Sequence, residues 1–112
     1  KGIVKMNEKQ ILCVSNAYLH KYYLGSSFAK LPTAIKEELQ IACVLFTEKV
    51  GGILTLAFDD DKNLYIHTAS NDDDYSYDEI HSGMLLSRFQ KEKEELLTGI
   101  ERYYNELVKG EV

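Results

Sequence analysis

No stretch of this chain approaches the roughly 18 consecutive apolar residues that a membrane span requires. The longest apolar run is Ile41 to Phe46. No membrane partner is therefore expected. No charged-then-apolar segment opens the sequence, so no signal peptide is expected, although Lys1 in place of methionine leaves the native start open. Proline is nearly absent, with Pro32 alone, and there is no repeat, low-complexity tract or linker. Cysteine is scarce too. Cys13 and Cys43 have neither metal nor redox spacing, and both sit in apolar patterns, where a buried free thiol and a cytoplasmic setting are expected. Cations do not cluster. Lys91 and Lys93 alternate with Glu92, Glu94 and Glu95, a solvated helix face, so no nucleic-acid partner is expected.

What is present is one domain's worth of chain, 112 residues with 45% apolar and 28% charged content. The net charge of −5 is local. Asp59, Asp60 and Asp61 form one acidic triplet and Asp72, Asp73 and Asp74 another; without them the chain is nearly neutral. Residues 1–6 are expected to be poorly ordered, inside a single domain spanning 1–112.

Periodicity suggests three helices and one hairpin. Asn7 and Gln10 have capping-box spacing, flanked by Met6 and Ile11 as a hydrophobic staple. Ile11, Val14, Tyr18 and Tyr22 then recur at helical spacing, which suggests a helix over 8–24 ended by Gly25 with positive φ. Pro32 suits a first helical turn, and Ile35, Leu39, Ala42 and Phe46 continue on one stripe until Gly51 and Gly52. A strand over 41–46 competes with this helix. The runs 53–58 and 64–69 are rich in strand formers and flank a turn-forming segment, which reads as a β-hairpin with Leu54, Leu56 and Phe58 facing the core. Ser76 and Glu79 make a second capping box with Tyr75 and Ile80 as its staple. Leu86, Phe89, Lys93, Leu96, Ile100, Tyr103 and Leu107 then form a heptad seam with one polar member. A helix over 76–108 would reach about 45 Å, too long for a domain of radius of gyration near 13 Å. It must kink near Gly83 or pack on a second chain.

Chemistry-bearing constellations are weak. Asp59, Asp61 and Asn63 match the first ligands of a calcium loop, but Leu64 stands where a glycine is needed and Ser70 where a bidentate glutamate is needed, so a solvated turn is expected. The two triplets flank a strand about 23 Å long and cannot share a cation. Asp72, Asp73 and Asp74 instead precede a helix N-terminus and are a candidate acidic contact patch. His20, His67 and His81 have no partner at helical spacing, and no nucleophile elbow, phosphate loop or dinucleotide fingerprint occurs. No catalytic, cofactor or metal residue is assigned. Eight tyrosines are the most unusual feature.

Lys21-Tyr22-Tyr23, Leu31-Pro32, Glu38-Leu39-Gln40, Gly51 to Leu56, Tyr77 to Ile80, Lys91 to Leu96 and Tyr103-Tyr104 together resemble a small family of uncharacterised Gram-positive bacterial proteins, a domain of unknown function, over roughly residues 11–107. The resemblance implies a bacterial, cytoplasmic protein and transfers no activity.

The expected architecture is α+β in the order helix, helix, β-hairpin, long helix. The leading functional expectation, motivated by the long heptad helix and a two-stranded sheet with open edges, is a non-enzymatic interaction or regulatory module acting as a homodimer, with Leu96, Ile100, Tyr103 and Leu107 as the candidate interaction seam and an unidentified protein as a further partner. The alternatives are a small-molecule binder with a tyrosine-lined pocket between the first and last helices, and an enzyme.

Overall fold

Residues 11–16, expected on a helix, are one of the two central strands of the sheet. The computed structural model describes residues 7–110. Strands β1 (Ile11–Asn16) and β2 (Lys21–Leu24) form a hairpin, helix α1 (Thr33–Val50) follows, strands β3 (Ile53–Phe58) and β4 (Leu64–Ala69) form a second hairpin, and helices α2 (Glu79–Glu92) and α3 (Glu94–Gly110) close the chain. The strands make one antiparallel sheet in the order β2-β1-β3-β4. The class is α+β as expected; the element order is not.

The first helix fails for local and tertiary reasons. The Asn7–Gln10 capping box is present, but it caps only the single 3-10 turn Glu8–Gln10; Met6, the other half of the expected staple, lies outside the described residues. The side chain of Asn16 accepts the amides of Tyr18 and Leu19, and His20 adopts φ 53°, so the chain reverses at 17–20. Ile11, Val14 and Tyr22 satisfy a helical spacing, yet they are also strand formers. A two-stranded 53–69 hairpin is marginal alone, and β1 completes its sheet. A bulge between Ile11 and Cys13 lets both Leu12 and Cys13 reach full burial. Gly25 does not end a helix with positive φ; its φ is −61°, and it is glycine because a Cβ there would lie 1.9 Å from the Ile11 carbonyl oxygen.

The middle of the chain matches expectation except at Pro32, which is the extended N-cap of α1 and not part of its first turn. Residues 41–46 are helical, and Gly51 ends the helix at φ 83° with its amide on the Thr47 carbonyl. Leu54, Leu56 and Phe58 are buried.

The long terminal helix is broken, but at Lys93 and not near Gly83, which lies exposed within α2. Lys93 sits at φ −107°, ψ 17° and separates α2 from α3. It is the polar member of the seam, so the helix bends where it has no apolar side chain to keep on the stripe. Asp78, rather than Ser76, caps α2 through the amides of Ile80 and His81. Tyr75 and Ile80 are 93% and 79% exposed and make no staple.

Candidate interaction surface

Parity along the strands decides which side chains the helices cover. Cys13 and Ser15 of β1 touch Cys43 and Thr47 of α1, with sulfur–sulfur and hydroxyl–hydroxyl separations of 3.7 and 2.8 Å. Two residues along a strand advance about 6.6 Å and four along a helix about 6.0 Å, so both contacts are made in one register. The cross-strand neighbours Tyr22, Leu24, Leu54, Leu56, Ile66 and Thr68 lie on this same face. Phe58 stacks on Tyr104 of α3 at 4.0 Å, and Phe46 of α1 packs edge-on to Phe89 of α2 at 5.5 Å. All three helices therefore share one side of the sheet. The other side carries the rows Ile11, Ala57, Tyr65, then Tyr23, Val14, Thr55, His67, then Lys21, Asn16, Ile53, Ala69, with Ala57 fully buried. No described helix packs on it.

The sheet also ends in a free edge. Backbone bonds from Asp59 to Asn63 and from Ala17 to Gly52 set the phase of the ladders. Antiparallel strands alternate, so Tyr65, His67 and Ala69 bond to β3, and the N–H and C=O groups of Leu64, Ile66 and Thr68 point away from it. Consistent with this, the Leu64 amide donates to the Glu101 carboxylate of α3 at 2.8 Å. Beneath the edge, Leu64, Ile66 and Leu97 line a groove of about 180 Å³ with Gln90, Glu94, Thr98 and Glu101 on its walls. The other edge, β2, is only four residues long and bears the exposed Lys21.

The expected seam is largely internal. Leu96 and Ile100 are buried in the chain's own core, Tyr103 and Leu107 are half-buried, and the stripe instead runs through Leu97 and Tyr104. Its step from Leu96 to Ile100 to Tyr104 is that of a globular helix, not of a coiled-coil seam.

The acidic triplets sit at opposite ends of the β3–β4 hairpin. Asp59 accepts the amides of Asp61 and Asn63 and closes the turn. Asp72 and Asp73 are exposed, whereas Asp74 is engaged. It accepts the Tyr18 hydroxyl at 2.6 Å and the Ser76 amide and hydroxyl, and these bonds hold its carboxyl below the usual aspartate range. The same bond to Asp74 raises the Tyr18 phenol, which in turn accepts the Asn71 amide. The cluster ties the loop before α2 to the β1–β2 turn.

Cys13 and Cys43 are free, buried thiols. Their mutual hydrogen bond and burial push the Cys43 thiol well up, and burial raises the Tyr22 phenol beside them. The tyrosines expected to line a pocket are distributed differently: Tyr18 lies on a turn, Tyr22 beside the thiols, and Tyr103 against Phe28 at 6.2 Å between ring centres. Among the described residues no three His, Cys, Asp or Glu side chains gather as metal ligands would, and no described helix is long and apolar enough to cross a membrane.

Open edges on the 53–69 hairpin are expected from the sequence, but the sequence does not show that β4 keeps a free edge while β3 is covered by β1. The strand 64–69 contains no charged residue, proline or glycine, and that was the available signal. No curated protein and no solved structure matches the chain at a significant level. Residues 9–112 do match the model of a family of unknown function (DUF6145), and the chain belongs to that family.

Proposed function

We propose that this protein is a non-enzymatic interaction module that acts as a homodimer in a bacterial cytoplasm. One observation carries the reading: three helices crowd one side of a four-stranded sheet, no described helix packs on the other side, and the outward backbone groups of Ile66 and Thr68 on the β4 edge have no described strand to pair with. A sheet edge is a row of backbone groups ready to pair. The expected seam on α3 does not support the dimer, since Leu96 and Ile100 are buried within the chain; the open sheet edge supports it alone. The exposed Asp72 and Asp73 remain the candidate contact for a basic partner. The test is the solution mass at micromolar concentration, for which the reading requires twice 12.8 kDa. The small-molecule alternative draws less support, because the helix that was to form one wall of its pocket is a β-hairpin.

A further inference from the structure

The outward backbone groups of β4 fit a second copy of the same strand. We infer that two chains pair antiparallel through β4 about a two-fold axis at Ile66, joining two four-stranded sheets into one; this rests on the homodimer reading above and adds its surface and register.

Four observations converge. First, β4 ends the sheet order, and Leu64, Ile66 and Thr68 direct their amides and carbonyls outward. Native edges are usually blunted by lysine, proline or a bulge. Here the sequence from Leu64 to Ala69 is Leu-Tyr-Ile-His-Thr-Ala, with none of these. Second, a two-fold contact must be self-complementary. Only outward residues can exchange ladder bonds, so the registers of greatest overlap set either Ile66 or His67 on the axis. The Ile66 register lets Ile66 give and receive one bond with its counterpart, and lets each Thr68 amide reach the Leu64 carbonyl of the second copy. Pairing transfers the Leu64 amide from Glu101 to the Thr68 carbonyl of the second copy, because one N–H cannot serve both oxygens. The His67 register leaves the Leu64 carbonyl unpaired and presses two imidazoles together in the close, non-hydrogen-bonded position. Third, no like charges meet in the Ile66 register. Tyr65 faces His67 of the second copy on the open side of the sheet, a pairing of two rings. Fourth, the groove beneath the edge is floored by Leu64, Ile66 and Leu97. It lies where the alternate side chains of an added strand fall, the arrangement by which strand addition acquires specificity.

Three measurements test this. Thr68→Pro removes an amide that the chain's own sheet does not use, so the fold is retained by circular dichroism while the dimer dissociation constant rises tenfold or more. Ile66→Cys sets two thiols on facing α-carbons about 5.5 Å apart, within disulfide reach. Mild oxidation with glutathione disulfide then yields a covalent dimer, and His67→Cys does not. Hydrogen exchange of the Ile66 and Thr68 amides slows as protein concentration rises. A wild-type monomer overturns the homodimer reading and this inference with it. A wild-type dimer that withstands Thr68→Pro, or that cross-links through position 67 and not 66, overturns the β4 register alone.

Discussion

Removing the Thr47 hydroxyl should destabilise the protein more than removing both hydroxyls of the Ser15–Thr47 pair. Ser15 and Thr47 are 2% and 3% exposed and lie 2.8 Å apart, joining β1 to α1. Thr47 has two further acceptors, the carbonyls of Cys43 and Val44 at 3.3 and 3.1 Å. In Thr47→Val the Ser15 hydroxyl is buried with its bond lost, at a cost of about 1–3 kcal/mol. In Ser15→Ala the Thr47 hydroxyl retains its helix carbonyls, so the loss is about 0.5–1 kcal/mol. In the double variant no orphan remains, and the total falls below the sum of the singles by about 1 kcal/mol. Urea denaturation followed by circular dichroism measures all four corners of the cycle, with constant m-values as the check on two-state behaviour. Additivity within about 0.3 kcal/mol would mean that the two side chains do not touch. It would remove the evidence that 11–16 is a strand lying on α1.

Other outcomes follow from the same contacts. Gly25→Ala forces a Cβ to within 1.9 Å of the Ile11 carbonyl oxygen and should cost more than about 2 kcal/mol, whereas Gly83→Ala, with nothing within 4 Å on an exposed helix face, should stabilise by roughly 0.5–1 kcal/mol; thermal melts compare them. Tyr18→Phe should raise the Asp74 pKa toward the ordinary aspartate value of about 3.9, read by carboxyl carbon NMR. Because the folded value is depressed, the Asp74 tether is complete above that ordinary value and is lost as pH falls through the lowered one. Native protein should leave a disulfide reagent such as DTNB unconsumed until urea exposes Cys13 and Cys43, since both are buried and the Cys43 thiol is raised; rapid reaction without denaturant contradicts this.

The stretches legible in the sequence are those whose local chemistry admits one answer. Gly51 and Gly52 at positive φ end α1, and the strand formers of 53–58 and 64–69 flank an aspartate-rich turn. Ile11, Val14, Tyr18 and Tyr22 misled because positions three and four apart suit a helix while the residues themselves suit strands, and only the need of a marginal hairpin for further strands decides. The capping box at Asn7 was real yet caps a single turn, since a cap does not fix how far a helix propagates. The heptad pattern named Leu96 and Ile100 correctly as apolar stripe residues but not what they face; Lys93 breaks the helix and folds the stripe back onto the sheet. The candidate surface was the least legible part. An edge is defined by backbone groups that lack a partner, and which groups those are depends on the strand order, which the sequence does not display.

The most direct measurement is the mass of the chain in solution by light scattering, taken across micromolar concentrations for the wild type and for Thr68→Pro. Pairing through β4 predicts twice 12.8 kDa for the wild type and a shift toward 12.8 kDa for the variant at the same concentration. A wild-type mass of 12.8 kDa throughout would contradict the proposed function.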